Sequence, residues 1–216
     1  MKQFLERILP QSWVDGYKQY QNKHSAASNR KKWELAGKPL PPPHTVKQEA
    51  IRSYQKKSGY NVLVETGTYK GDMILAQKSY FNQIYSIELS HALHEKAKKR
   101  FHWQPGITLL QGNSGDVISK VLAELKEPAV FWLDGHYSGG ITATIEKYSP
   151  IIEELQTISG NNSLLHIILI DDARCFVGEH GYPTIEEMKE LTKKDFPGYD
   201  FSVDEDIIRM MPQKFV

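Results

Sequence analysis

The sequence predicts an α/β fold: a doubly wound, mostly parallel sheet of seven strands that ends in an antiparallel hairpin. Three observations lead there. From Tyr60 onward, short apolar runs alternate with segments whose apolar residues recur three and four apart. The runs are apolar on successive residues, as strands covered on both faces by helices are. The last two runs, 199–203 and 207–211, are separated only by Asp204-Glu205-Asp206, too short for a helical crossover, so they must pair antiparallel. Right-handed crossovers between the earlier units give a Rossmann-like winding.

In order, residues 1–44 read as an N-terminal helical or irregular extension and residues 45–216 as the α/β domain. Phe4, Leu5, Ile8 and Leu9 fall at helical spacing up to Pro10, and Trp13, Tyr17 and Tyr20 continue as an aromatic stripe. An aromatic stripe of this spacing is more often core than a sugar platform. The polar, basic stretch 21–32 reads as a solvated face or loop rather than a nucleic-acid contact. Leu40-Pro41-Pro42-Pro43 is a stiff extended break. A helix over 45–57 leads into the domain. The strand runs are 62–64, 84–87, 107–110, 129–133, 165–170 and the two of the hairpin. Val117, Ile118, Val121, Leu122 and Leu125 outline one crossover helix. Ile151, Ile152, Leu155 and Ile158 outline another, with Ser149 as N-cap and Pro150 in its first turn. Thr184 and Glu187 fit a capping box for a last helix.

Composition narrows the function classes. The 216 residues are 40% hydrophobic and 25% charged with a net charge of +1, so nothing global calls for nucleic acid or a membrane surface. Cys175 is the single cysteine and cannot form an internal disulfide. No apolar segment approaches the roughly 20 residues of a membrane span, and the N-terminus lacks the continuous apolar core of a signal peptide. The expectation is a cytoplasmic protein with a small-molecule ligand. The first sixty residues either cover the cleft or pair with a second subunit in a homodimer.

In an open α/β sheet, ligands collect at the carboxyl ends of the strands. The first strand ends in Glu65-Thr66-Gly67-Thr68-Tyr69-Lys70-Gly71-Asp72. Gly67 lets the chain turn and a ligand approach the backbone, and Gly71 opens a helix whose free N–H groups favour an anion. Glu65 is a fixed negative charge at that turn, able to bind an amine or to be solvated as a loop acid. The second strand ends in Glu88, about 20 residues on, the distance of an acid that grips a ribose diol. The third ends in Gln111-Gly112-Asn113-Ser114-Gly115-Asp116, another glycine-rich polar loop. Each piece alone is more often a plain turn or a helix-entry charge. Three on successive strands favour a nucleoside whose tail carries an amine and a carboxylate.

These residues, Glu65-x-Gly67-x-x-x-Gly71, Glu88 and the Asn113–Asp116 loop, resemble the cofactor loops of class I S-adenosylmethionine-dependent methyltransferases. The closing hairpin resembles the reversed last strand of that fold, and the resemblance spans roughly 45–216. It implies S-adenosylmethionine as cofactor, held by Glu65, Thr66, Gly67, Thr68, Gly71, Asp72, Glu88, Asn113, Ser114, Asp116 and Asp134. The Glu65–Gly67 turn would face the methionine half, Glu88 the ribose hydroxyls, and Ser114 and Asp116 the adenine.

The fourth strand ends in Asp134-Gly135-His136-Tyr137 and the fifth in Asp171-Asp172. As neighbours in the sheet these ends bring three carboxylates together, where they repel one another and raise each other's pKa. A hard divalent cation such as Mg²⁺ relieves that repulsion. Singly, Asp172 suits a helix cap and Asp134 a turn; the three together favour metal or catalytic use. The arrangement resembles the metal site of macrocin- and sugar-type O-methyltransferases, with His136 standing where that family carries the second acid of Asp-Gly-Asp. The resemblance implies metal ligands Asp134, Asp171 and Asp172, catalytic roles for Asp134 and His136, and a small-molecule hydroxyl acceptor. His180 is a rival base. The loops Tyr137-Ser138-Gly139-Gly140 and 174–182 would wall the substrate, with Arg174 meeting an acidic substrate group or, more plainly, a surface salt bridge. The alternatives are a nicotinamide-dependent oxidoreductase, disfavoured by the missing third glycine of G-x-G-x-x-G, and a non-catalytic scaffold that keeps the fold.

Overall fold

The computed structural model describes residues 11–134 and 149–215. Seven strands form one sheet: β1 (Val62–Thr66), β2 (Gln83–Glu88), β3 (Ile107–Gln111), β4 (Ala129–Leu133), β5 (Ile167–Ile170), β6 (Tyr199–Asp204) and β7 (Ile207–Pro212). Their spatial order is β3-β2-β1-β4-β5-β7-β6. β1 to β5 pair in parallel, whereas β7 runs antiparallel to both β5 and β6. The expected closing hairpin is therefore present. Glu205 and Asp206 turn it with φ values of 53° and 64°, the doubly left-handed geometry that suits the twist of a two-residue hairpin. The strand order reverses between β1 and β4, so a crevice opens beyond their carboxyl ends.

Both sheet faces are covered, which explains the unbroken apolar runs. Val62, Val64, Phe131 and Leu133 pack with α5 (Ser114–Glu124), α6 (Ile151–Ser159) and α7 (Ile185–Asp195) on one face. Leu63, Val130 and Trp132 point the other way, against α2 (His44–Ser58), α3 (Asp72–Gln77) and α4 (His91–Phe101). Val117, Ile118, Val121 and Leu122 are buried as their spacing predicts. Each such side chain contributes about 1.5–3 kcal/mol when taken from water.

Local signals decide most helix ends. Asn113 accepts from the Gly115 N–H and starts α5. Thr184 and Glu187 form the expected capping box of α7. Gly59, left-handed at φ 73°, ends α2 by donating to the Gln55 carbonyl. Ser149 does not cap α6. Pro150 holds the cap position without a side-chain bond, and the Ser149 hydroxyl engages Tyr182 instead.

The N-terminal region is helical, one of the two forms expected, and only its aromatic stripe departs from expectation. The basic stretch is part of one continuous helix, α1 (Gln11–Leu35), the solvated face rather than the loop of the two forms expected. Trp13, Tyr17 and Tyr20 are exposed rather than core. Helix α1 is tied down elsewhere: Asp15 pairs with Arg100 of α4, and Arg30 pairs with Glu49 of α2 and with Glu205 of the hairpin turn. Spacing placed the three aromatics on one side of a helix but carried no information about which side meets the domain. Among the described residues, no helix is long and apolar enough to cross a membrane.

Candidate functional site

Register alone brings the proposed pieces together. Thr66 lies opposite Leu133, and Leu133 opposite Ile170, so Asp134 and Asp171 leave neighbouring strands side by side. The Asp134 N–H reaches back to the Thr66 carbonyl at 3.3 Å and its hydroxyl at 3.2 Å. Gly67 adopts φ 85°, and a Cβ there would collide with the Asp134 carbonyl oxygen. No other residue lets the β1 turn and the β4 end approach this closely.

Glu88 closes the same turn from the other side. Its carboxylate accepts the Tyr69 N–H at 2.7 Å and the Ser90 N–H at 2.8 Å. A carboxylate has about four lone-pair sites, so two are left for hydroxyl donors. Glu88 thus sits at the Gly67 bend.

Glu65 corrects its expectation. It is 2% exposed, and the Ser86 hydroxyl donates to it at 2.5 Å, with the Thr68 hydroxyl 2.7 Å from Ser86. Burial pushes Glu65 up to about 8, against the pull of the Ser86 bond. At neutral pH it is a neutral acid rather than a fixed negative charge.

Gly71 and Asp72 are also recast. Gly71 is left-handed at φ 74° and abuts the Phe101 ring, a packing requirement. The helix it opens, α3, has six residues, too few for a strong N-terminal field. Asp72 pairs with Arg100 at 2.9 Å, and the same guanidinium holds Asp15, so Asp72 helps fasten α1 to α4. In the third loop Asn113 is occupied as a cap, Ser114 is buried and Asp116 is exposed.

At the other half of the crevice, Asp134, Asp171 and Asp172 each offer an oxygen within 4.8 Å of the others. Asp172 is held left-handed at φ 56°, ψ 51°, a conformation aspartate tolerates better than most residues. Its N–H donates to Asp171 Oδ1 at 2.8 Å. Two cations already sit on these acids. Lys47 of α2 places Nζ 2.6 Å from Asp171 Oδ2 and 2.9 Å from Asp172 Oδ1. Arg174 places Nη1 2.6 Å from Asp172 Oδ1 and also meets Asp206. Burial holds Asp171 above the usual carboxylate range; Lys47 opposes the shift and Asp172 adds to it. Arg174 is thus the salt bridge of the plainer reading. The His180 side chain is 71% exposed, and among the described residues its ion-pair partner is Glu179 at 3.9 Å. His136 and the Tyr137–Gly140 loop lie outside the described residues.

The type and number of the three carboxylates suit a hard divalent cation, and their 4.8 Å spread lies within reach of one ion with oxygens at about 2.3–2.6 Å, or of a smaller ion after a slight contraction. The Lys47 ammonium, however, already holds Oδ2 of Asp171 and Oδ1 of Asp172.

No family model and no curated protein matches the chain. Solved structures do. An O-methyltransferase from Bacillus cereus in complex with SAH aligns over 97% of this chain and 96% of its own, with TM-score 0.55 and 13% identity. The Podospora anserina methyltransferase PaMTH1, bound to SAH, aligns over 94% and 97%, with TM-score 0.55 and 14% identity. MycE, a methyltransferase of the mycinamycin pathway in complex with Mg, SAH and mycinamycin VI, aligns over 79% of this chain and 48% of its own, with TM-score 0.53 and 14% identity. The chain has a methyltransferase fold.

Within that methyltransferase fold, two site residues escape sequence reasoning. Lys47 is one lysine in a basic helix, and nothing local marks it. Glu154 left a signal: it lies on the stripe of Ile151, Leu155 and Ile158, an acid on an apolar face. It is fully buried, and neither oxygen has an aligned hydrogen-bond partner among the described residues. Burial pushes it up to about 7, although the Ser114 and Thr66 hydroxyls draw it down. Between Glu154 and Asp171 lies a space of about one water's size, also lined by Phe176 and Tyr182.

Proposed function

We propose that this protein is an S-adenosylmethionine-dependent methyltransferase acting on a hydroxyl of a small molecule, a sugar or similar. The observation that carries this reading is the shared rim: the Glu88-braced Gly67 turn and the acidic cluster flank one crevice, joined through Thr66 and Asp134.

The residues fit the cofactor. Glu88 would take the ribose hydroxyls with its remaining lone pairs, while its two backbone bonds hold it in place. The bare backbone at Gly67 leaves room for the methionine half. Ser114, beside the Asn113 cap, would lie by the adenine, and an ammonium arriving near Glu65 would favour its ionised form. The cofactor, when bound, supplies an electrophilic methyl group on a sulfonium sulfur.

The chain must then align an acceptor oxygen and remove its proton. Asp134, Asp171 and Asp172, with Lys47 among them, orient acceptor hydroxyls across the crevice from Glu88. His136, two residues after Asp134, is the proton acceptor this reading assigns, and its pKa range suits the task. Tyr182 and Phe176 line the wall behind the cluster. A divalent cation held by Asp134, Asp171 and Asp172 would supply Lewis acidity, lowering the pKa of a bound hydroxyl. The cell compartment consistent with this reading is the cytoplasm.

A thermal-shift panel tests it. S-adenosylhomocysteine (SAH) at about a hundred times its Kd should add about 2.7 kcal/mol of stability, and NAD should add none. A response to NAD alone would favour the oxidoreductase; no response to either, a scaffold without chemistry.

A further inference from the structure

We propose that Lys47 is the resident cation of the acidic cluster, and that a divalent ion gains the cluster only by displacing it. The inference concerns the cluster's own charges and stands apart from the methyl-transfer reading.

Lys47 is not a loose surface lysine. Its neighbours Val46 and Gln48 are buried, which fixes the α2 backbone beneath it, and its side chain is only 12% exposed. The ammonium reaches a carboxylate oxygen on each of two consecutive aspartates, at 2.6 and 2.9 Å. Those aspartates belong to the group whose oxygens suit a hard ion. Arg174 compensates part of the Asp172 charge from the other side. Among the described residues, Lys47 and Arg174 therefore offset part of the charge of Asp171 and Asp172, with Arg174 shared with Asp206. An added divalent ion would compete with Nζ for the same two carboxylates and be repelled by it at close range. The four-carbon stem of lysine gives the ammonium a way to withdraw when an ion does enter. Two consequences follow. The cluster stays assembled in the absence of metal, and Lys47 sets the affinity for metal low.

The test is Mn²⁺ and Mg²⁺ titration by calorimetry of the full chain as wild type, Lys47→Met and Lys47→Arg. Lys47→Met keeps the apolar stem and removes the charge; it should bind Mn²⁺ about tenfold or more tightly than wild type, the scale of one charge pair near a surface. Lys47→Arg keeps the charge and should stay within about threefold of wild type on the same scale. Equal affinity of Lys47→Met and wild type overturns the proposal. If Lys47→Met does not fold, Lys47→Gln carries the same comparison. A second readout uses the wild-type chain: acylation of Lys47 by an amine reagent, followed by peptide mass spectrometry. Labelling that rises with saturating Mn²⁺ supports displacement; bound metal with unchanged labelling overturns it. SAH thermal shifts on the same samples report separately on the methyltransferase reading, which can fail while the metal comparison stands.

Discussion

The two halves of the crevice are held by different physics. At the tips of β1 to β3, geometry comes from hydrogen bonds to the backbone and from uncharged side chains: two backbone amides donating to Glu88, Glu65 uncharged beside Ser86 and Thr68, and Asn113 capping α5. At the tips of β4 and β5 it comes from charge: three carboxylates met by Lys47 and Arg174. The first kind of site is rigid before a ligand arrives and suits a ligand bound in one pose. The second can exchange one cation for another, as an acceptor or an ion enters. The largest effect that separates them is Asp134→Ala. Turnover should fall by about a thousandfold or more, the loss expected when a group acting at the transition state is removed, while the SAH thermal shift stays nearly unchanged. Loss of both would show that the Asp134 carboxylate also serves the cofactor half, since its contacts with the Gly67 turn are main-chain and survive the substitution, and the contrast between the halves would collapse.

Glu88→Ala reverses the pattern at a smaller scale. It removes a charged acceptor from two backbone amides and from the ligand's hydroxyls. SAH affinity should drop by about tenfold to a hundredfold, matching about 1.5–3 kcal/mol for hydrogen bonds to a charged group. Calorimetric titration with SAH measures this, and Mn²⁺ affinity at the acidic cluster should not move. A change in both affinities would mean that the halves are mechanically coupled through the Thr66–Asp134 contact.

The same contrast explains what could be read from the sequence. The sheet was legible because burial on both faces writes itself into consecutive apolar residues, and the hairpin because Asp204–Asp206 leaves no room for a helix. The β1 to β3 loops were legible because glycine turns and strand-end acids are local. The charges were harder. Asp134, Asp171 and Asp172 could be brought together from strand order, but Lys47 lies 124 residues from Asp171, and only the packing of α2 puts it there. The protonation of Glu65 was misread for a related reason. A loop acid and a buried acid share one letter, and burial is a property of the sheet. The partner of Asp72, Arg100, was not legible because it comes from the next helix.

Glu65 also gives the smallest and cleanest test, since it compares a neutral buried acid with the charged cluster through pH alone. Its folded pKa of about 8 lies above the ordinary value of 4.5. Below pH 4.5 both folded and unfolded chains hold the proton, and the group contributes no pH dependence. As pH rises from there, the unfolded chain ionises first, so stability falls, levelling off above about 8. Glu154, raised to about 7, adds to the same fall but levels off earlier. Glutamine at position 65 keeps an oxygen for the Ser86 hydroxyl and cannot ionise. Glu65→Gln should therefore be more stable than wild type at pH 8.5 than it is at pH 5, by about 1–3 kcal/mol in relative terms. Urea unfolding at the two pH values gives that difference, and groups common to both chains, Asp171 and Glu154 included, cancel from it. Parallel pH profiles would mean that Glu65 is ionised in the folded protein, and that the β1 half is held by charge just as the β4–β5 half is.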